Sequence, residues 1–207
     1  RVVKHGNRKA SSTSGSVDVL EALGVVVDLD GPGVARCVEA SGVGFCFART
    51  FHPAMRHAGP VRSELGVPTV FNFLGPLSHP AHVRRQVVGV SDRRLAPLVA
   101  GVLRDRGAPR AMVVAGHDDT DELTTTGPSS VHEIRDGEIR THELDPRELG
   151  LALVDVGDVV GGDPSANAAI ARRVLAGEPG PHRDIVVLNA AAVLVVAGLA
   201  AIFLALT

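Results

Sequence analysis

Short runs of apolar, β-branched residues alternate with helix-like segments along most of this 207-residue chain. The pattern predicts strands at 25–29, 44–48, 86–91 and 111–116, and helices at 16–23, 34–40, 93–106, 165–176 and 185–200. A hairpin is predicted over SVHEIRDGEIRTHEL, turning at Asp136 and Gly137. Residues 51–80 are rich in Pro, Gly and His and too irregular for one element. Such alternation predicts an α/β fold with a central, mostly parallel sheet flanked by helices.

Charge and cysteine content exclude several classes of protein. The formal net charge is −2 and there is no long basic run, so no nucleic-acid partner is expected. The two cysteines, Cys37 and Cys46, form no CxxC or Cys/His pattern, which favours a reducing, cytoplasmic setting over a disulfide scaffold or a zinc site. The N-terminus lacks an apolar run, so we expect no signal peptide.

The segment IVVLNAAAVLVVAGLAAIFLALT, residues 185–207, is apolar and long enough for a membrane span. It has no flanking aromatic residues or basic cluster, and Asn189, Gly198 and many alanines favour close packing within a protein. We therefore interpret it as a buried helix and expect no membrane partner.

Many hydrogen-bond donors precede the first helix, in KHGNRKASSTSGS at residues 4–16. Lys4 and Arg8 carry positive charge, Asn7 offers an amide, and several serines lie next to the free N–H groups of a helix N-terminus. These residue types suit a phosphate site. The alternative is ordinary capping of the helix by Ser14 or Ser16, which uses one side chain and leaves KHGNR without a role.

The loop HDDTDELTTTGPSS follows the strand that ends at Gly116. Its acidic residues are Asp118, Asp119, Asp121 and Glu122. Adjacent carboxylates at a strand end suit Mg²⁺, which takes one or two carboxylates together with phosphate oxygens. A solvated acidic turn is the alternative, and a neighbouring phosphate site would favour the metal.

Residues 51–80 offer a third group of candidates. Arg62 could pair with a carboxylate in bidentate fashion, and Phe71 and Phe73 could line an apolar wall. Taken one at a time, His52, His57 and Arg62 are typical surface or structural residues.

Four long motifs resemble the anthranilate phosphoribosyltransferase family in order and spacing. They are VVKHGNRKASSTSGSVDVLEALGV, GFCFARTFHPAMRHAGPVRSELGVPTVFNFLGPLSHPA, DDTDELTTTGPSSV and DIVVLNAAAVLVVAGLA, and together they cover nearly all of residues 1–200. The resemblance implies the fold shared with pyrimidine nucleoside phosphorylases, a small helical domain beside a larger α/β domain. It also implies transfer of the phosphoribosyl group of PRPP to the amine of anthranilate, with release of pyrophosphate, in tryptophan biosynthesis.

The resemblance also assigns site residues. Those implied to bind PRPP are Lys4, His5, Gly6, Asn7, Arg8, Ser11, Ser12 and Ser16. Those implied to contact anthranilate are His5, Asn7 and Arg62, with Arg62 directed at the carboxylate. Asp121 and Glu122 match the pair that holds Mg²⁺, a homodimer is implied for the full-length protein, and no residue is assigned as a general acid or base.

The chain departs from the family pattern at both ends. The family's GTGGD loop, its NxST segment and its first helical region precede the lysine of KHGNR, whereas only three residues precede Lys4. At the other end the chain stops in AAIFLALT. We therefore expect residues 1–207 to be a partial catalytic α/β domain, poorly active alone. A non-catalytic remnant and an enzyme like the pyrimidine nucleoside phosphorylases are the alternatives.

Overall fold

The computed structural model describes residues 1–8, 13–67 and 69–200, and the side chains of residues 62, 63, 72 and 73 lie outside that description. The chain divides into two compact units. Unit 1 comprises Arg1–Val83 and Gly161–Arg172, and unit 2 comprises Arg84–Val160 and the chain from Arg173 onward. Helices and strands mix in the described chain, so the predicted α/β class is confirmed.

The described strands β1 to β6 are Val2–Gly6, Val43–Phe47, Arg85–Gly89, Arg110–Gly116, Ser129–Arg135 and Glu138–Leu144. The described α-helices α1 to α9 are Ser16–Ala22, Gly31–Ser41, Ala48–Phe51, Met55–Leu65, Phe71–Leu77, Ala96–Asp105, Val156–Val159, Pro164–Leu175 and Pro181–Ala197. Short 3-10 helices lie at Arg93–Leu95 and Pro146–Leu149.

In unit 1, β1 and β2 pair in parallel, with His5 opposite Cys46 and Gly6 opposite Phe47. The predicted strand at 25–29 is wrong, because this segment is irregular in the structure. Val27 is nevertheless buried and packs with Val17 and Phe47 in a small core. The apolar pattern of residues 25–29 therefore reflects burial of Val27 without strand pairing.

The described part of residues 51–80 includes the separate helices α4 and α5, in agreement with the expectation that the range forms no single element. Pro60 lies inside α4 and Pro76 inside α5. Proline is unfavourable inside a helix because it lacks a backbone N–H donor, so its presence argues against predicting helices here.

In unit 2, four strands form one sheet in the order β3-β4-β5-β6. β3 and β4 are parallel, whereas β4–β5 and β5–β6 are antiparallel. The described strands thus form two sheets, and the larger one is mixed rather than mostly parallel. The cause is the predicted hairpin, which turns at Asp136 (φ 52°) and Gly137 (φ 84°) and extends the sheet beyond β4.

Helix α9 carries most of the apolar segment that begins at Ile185. Leu188, Ala192 and Val196 are buried against residues of β4 and β5 such as Met112 and Val131. The interpretation as a buried helix is therefore correct for one face of α9, whereas Val186, Val193 and Leu194 on the same helix are exposed. No described helix is both long enough and apolar enough to cross a membrane. Residues 201–207 lie outside the described chain.

Candidate functional site

Lys4 and Ser16 converge over Gly6 in unit 1. A Cβ atom on Gly6 would lie 2.6 Å from Ser16 Oγ and 3.4 Å from Lys4 Nζ. Glycine is therefore required for this close approach. A cavity of about 10 Å³, enough for one water molecule, is lined by these three residues together with Phe45 and Cys46. The end of β1 and the start of α1 thus bring an ammonium group and a hydroxyl group to one place.

The cap of α1 differs from the sequence expectation. Gly15, not a serine, occupies the N-cap position, and its N–H donates to Asp18 Oδ2 at 2.9 Å. Ser14 Oγ lies 3.5 Å from the Gly15 carbonyl oxygen instead. The predicted serine cap is therefore wrong, and the hydroxyl of Ser16 is directed toward Gly6.

Arg8 has partners within unit 1. Its Nη2 lies 2.6 Å from Glu21 Oε1 and its Nε 3.2 Å from Glu21 Oε2. Its guanidinium also lies 4.9 Å from the centroid of the Phe47 ring. Asn7 Oδ1 accepts a hydrogen bond from the Arg8 backbone N–H at 2.9 Å. Arg8 is thus held by an exposed ion pair and an aromatic face.

Three histidine rings form a cluster in unit 1. The centroid of His5 lies 4.9 Å from that of His52, in an edge contact, and 5.7 Å from that of His79. His79 Nε2 lies 3.2 Å from the Val3 carbonyl oxygen. Nε2 of His5 and Nε2 of His52 are buried and have no hydrogen-bond partner in the described chain.

The environment of His5 disfavours its charged form. Burial, followed by the charges of His52, His79 and Lys4, lowers its pKa from 6.5 to about 4, although a hydrogen bond with the Gly75 backbone opposes the change. His5 is therefore neutral at pH 7. A neutral imidazole with an unpartnered ring nitrogen can donate or accept one hydrogen bond, according to its tautomer.

Several predicted residues cannot be placed. Ser11 and Ser12 lie outside the described residues, and Arg62 is described only as a backbone position within α4. The structure therefore gives no contact for these three side chains. Their assignment stays a prediction.

In unit 2, Asp118 is held by threonine hydroxyls. Thr120 Oγ1 donates to Oδ1 at 2.7 Å, and Thr126 and Thr124 donate to Oδ2 at 2.7 and 3.3 Å. Burial raises the pKa of Asp118, but the hydrogen bonds from Thr120 and Thr126 outweigh it and lower the pKa overall. Asp118 therefore organises the acidic loop instead of presenting a carboxylate to a ligand.

Asp121 and Glu122 are both exposed, directly after that network. Desolvation of the Glu122 carboxyl by neighbouring atoms, followed by the charges of Asp121 and Asp118, raises its pKa. A cation would relieve this repulsion. The described residues contain no group of three His, Cys, Asp or Glu side chains able to hold a metal ion. The pair fits Mg²⁺, which accepts two carboxylates when water or phosphate supplies its other ligands.

Sequence reasoning overlooked the pairing of His5 with His52. No local signal could have shown it, because the two residues are far apart along the chain. The parallel pairing of β1 with β2 aligns His5 with Cys46, and His52 directly follows α3 as its C-cap. Strand pairing followed by one helical turn brings the two rings together.

Comparison with known proteins identifies the family of the chain. A family model described as "Glycosyl transferase family, a/b domain" matches residues 1–203. The anthranilate phosphoribosyltransferase of Arthrobacter sp. (strain FB24) is 57% identical over 195 residues, which cover 94% of this chain and 55% of that protein. The corresponding enzyme of Parvibaculum lavamentivorans is 52% identical, over 97% of this chain and 59% of that protein.

Solved structures give the same result. The crystal structure of anthranilate phosphoribosyltransferase from Thermus thermophilus superposes with a TM-score of 0.91 at 46% identity, covering 99% of this chain and 62% of that one. The Saccharomyces cerevisiae enzyme, in complex with PRPP and Mg, superposes with a TM-score of 0.86 at 29% identity, covering 96% of this chain and 56% of that one. The chain thus spans between half and two thirds of the length of these relatives.

Proposed function

Since the chain belongs to the glycosyl transferase family defined by this a/b domain, we propose that the protein transfers the phosphoribosyl group of PRPP to the amine of anthranilate and releases pyrophosphate. The observation that carries the proposal is the identity above 50% to anthranilate phosphoribosyltransferases over more than nine tenths of the chain. This reaction is a step of tryptophan biosynthesis.

The proposed PRPP site lies in unit 1. Its residues are Lys4, His5, Gly6, Asn7, Arg8, Ser11, Ser12 and Ser16. The approach of Lys4 and Ser16 over Gly6 supports it, because an ammonium group and a hydroxyl group together suit a phosphate. For Arg8 to bind a phosphate, its guanidinium must share or exchange its pairing with Glu21. The Arg8–Glu21 ion pair is exposed, and such pairs contribute at most about 1 kcal/mol to stability, so exchanging it for a phosphate contact costs little free energy.

The proposed acceptor site comprises His5, Asn7 and Arg62. The lowered pKa of His5 keeps its ring neutral, so it adds no charge beside an aromatic amine. Nε2 of His5 and Nε2 of His52 are buried without a hydrogen-bond partner among the described residues, and a substrate group that reached them could complete a hydrogen bond. Arg62 would supply the positive charge for the anthranilate carboxylate.

Asp121 and Glu122 are the residues we propose to hold Mg²⁺. The raised pKa of Glu122 supports the assignment, since it reflects a desolvated carboxyl whose neighbouring carboxylates lack a counter-charge. When bound, the metal would neutralise the negative charge that builds up on the pyrophosphate leaving group. The protein's own contribution is to aim fixed donors at that group and to orient the amine, which is a competent nucleophile without a general base.

Partners and compartment follow from the same proposal. We propose that the full-length protein is a homodimer in the cytoplasm, acting on small molecules and not on nucleic acid. Cys37 and Cys46 form no CxxC or Cys/His pattern in the sequence, which favours a reducing compartment.

The test follows both products of the reaction at once. The protein is incubated with PRPP, Mg²⁺ and anthranilate, and the decay of anthranilate fluorescence is recorded together with pyrophosphate release. One pyrophosphate is expected for each anthranilate consumed, whatever the rate. Release of pyrophosphate without loss of anthranilate, or no loss beyond that in a heat-inactivated sample, would contradict the proposal.

A further inference from the structure

Asn189 of α9 binds the backbone of the residue that directly follows the acidic pair. Its Oδ1 accepts a hydrogen bond from the Leu123 N–H at 3.0 Å, and its Nδ2 donates to the Leu123 carbonyl oxygen at 2.8 Å. Nδ2 also donates to the Ile185 carbonyl oxygen, one turn earlier in α9, at 3.0 Å. All of these residues belong to unit 2. We propose that Asn189 is a positioning residue that holds Asp121 and Glu122 in the conformation that binds Mg²⁺.

The two hydrogen bonds to Leu123 fix both peptide planes that flank it. The Leu123 N–H belongs to the same plane as the Glu122 carbonyl, so Asn189 sets the orientation of the backbone on the C-terminal side of Glu122. The next peptide plane contains the Leu123 carbonyl and the Thr124 N–H. Asn189 Nδ2 donates to the carbonyl, and the Thr124 N–H donates to Ser129 Oγ at 3.1 Å. One asparagine side chain therefore holds the backbone residue that directly follows the acidic pair.

A second contact holds the other side of the pair. The Asp121 carbonyl group lies so close to Gly89, the last residue of β3, that a Cβ atom at Gly89 would overlap with it. The peptide plane between Asp121 and Glu122 thus rests on the end of a strand. The backbone thus lies close against Gly89 before Glu122 and is hydrogen-bonded by Asn189 directly after it.

The contacts on both sides of Glu122 are explained if Asp121 and Glu122 bind a metal ion. Two adjacent carboxylates repel each other, and an unrestrained loop would turn them apart. A backbone held in place leaves only side-chain rotations to be restricted when the cation binds, and residues that orient metal ligands commonly change affinity by about 10-fold to 100-fold when they are removed. The inference rests on the proposed function, because it takes Asp121 and Glu122 as the metal ligands.

The chain offers a closely matched control. Asn167 in α8 also binds one backbone residue through both ends of its amide, with Oδ1 accepting from the Gly162 N–H at 2.8 Å and Nδ2 donating to the Gly162 carbonyl oxygen at 3.0 Å. It belongs to unit 1 and lies outside the proposed substrate and metal sites. Replacing either asparagine removes the same kind of contact, so a purely structural role predicts the same outcome for both.

The experiment measures Mn²⁺ affinity in the presence of PRPP, by the loss of the free Mn²⁺ signal in electron paramagnetic resonance, because carboxylate sites for Mg²⁺ accept Mn²⁺. The complete 207-residue chain is compared with Asn189→Ala, Asn167→Ala and the double variant Asp121→Asn/Glu122→Gln. Melting temperatures and PRPP affinity without metal are measured on the same samples. If Asn189→Ala does not fold, Asn189→Ser takes its place, since its hydroxyl can still donate to the Ile185 carbonyl.

Asn189→Ala is expected to weaken Mn²⁺ binding about tenfold. Asn167→Ala is expected to leave Mn²⁺ binding unchanged, while lowering the melting temperature about as much as Asn189→Ala does. Equal Mn²⁺ affinities in the two asparagine variants would overturn the inference. The inference would also be overturned if Asn189→Ala weakened PRPP binding in the absence of metal as much as it weakened Mn²⁺ binding. Such a result would show a general distortion of the protein. If Asp121→Asn/Glu122→Gln leaves Mn²⁺ affinity unchanged, the metal assignment in the proposed function is the part that fails.

Discussion

The imidazole ring of His5 lies edge-on against that of His52, with their centroids 4.9 Å apart. Burial disfavours the charged form of His5, and two rings at this distance cannot both be charged without strong repulsion, so the pKa of His5 falls to about 4. The penultimate residue of β1 is therefore a neutral histidine at physiological pH. The stability of the protein and its affinity for substrates should both depend on that neutrality.

The first prediction concerns acid stability. Because the pKa of His5 is lower in the folded chain than its ordinary value of 6.5, protons bind preferentially to the unfolded chain. The stabilisation is fully present above pH 6.5 and is lost as the pH falls toward 4. The free energy of unfolding in urea, measured at intervals between about pH 4 and pH 7, should fall less steeply in His5→Asn than in the parent chain. Identical slopes would show that His5 is not the titrating group.

The second prediction concerns Gly6. A methyl group there would lie 2.6 Å from Ser16 Oγ, so Gly6→Ala should destabilise the chain by about 1–3 kcal/mol and weaken PRPP binding. The double variant Gly6→Ala/Ser16→Ala removes the clashing oxygen. It should regain the stability of the parent chain but not its affinity for PRPP. Urea unfolding and calorimetric titration of PRPP measure the two effects separately.

Gly101→Ala is the control for that substitution. Gly101 lies within α6, and a Cβ atom added there would have no neighbour within 4 Å. Alanine should therefore stabilise this helix by about 0.5–1 kcal/mol. A similar gain from Gly6→Ala would rule out the close approach of Ser16 and Lys4 in solution.

The third prediction concerns Asp121 and Glu122. In Asp121→Asn/Glu122→Gln, PRPP binding should lose its dependence on Mg²⁺, while the melting temperature stays close to that of the parent because both residues are exposed. Calorimetric titration of PRPP with and without Mg²⁺ provides the measurement. Asp119→Asn removes one charge from the same loop and should keep the metal dependence. Asparagine tolerates the positive φ of 59° at this position.

The fourth prediction concerns Arg62. If it pairs with the anthranilate carboxylate, Arg62→Ala should weaken anthranilate binding by roughly 2–5 kcal/mol and leave PRPP binding unchanged. Arg56→Ala is the matched control, since Arg56 belongs to the same helix and its Nη1 donates to the Pro53 carbonyl oxygen at 3.3 Å. Fluorescence titration with anthranilate distinguishes the two. Equal affinities in both variants would remove Arg62 from the acceptor site.

Much of the local structure was evident from the sequence. Gly24 and Gly42 mark the ends of α1 and α2, with φ values of 88° and 81°, because glycine accepts the left-handed conformation that terminates a helix. Asp136 and Gly137 indicated the hairpin turn because this turn requires a positive φ at both central residues, which Asp and Gly accept. The acidic pair and the donors of KHGNR were found from residue type, since charge and hydrogen-bonding capacity do not depend on the fold.

Relationships between distant segments were decided by tertiary structure alone. Apolar periodicity predicted a strand at 25–29, where burial of Val27 occurs without pairing, and offered no sign of β1, whose partner strand β2 lies far along the chain. The contact of His5 with His52 and the hydrogen bonds of Asn189 to Leu123 likewise join residues far apart in sequence. A sequence records what each side chain can do locally, whereas strand pairing and helix packing determine which side chains meet.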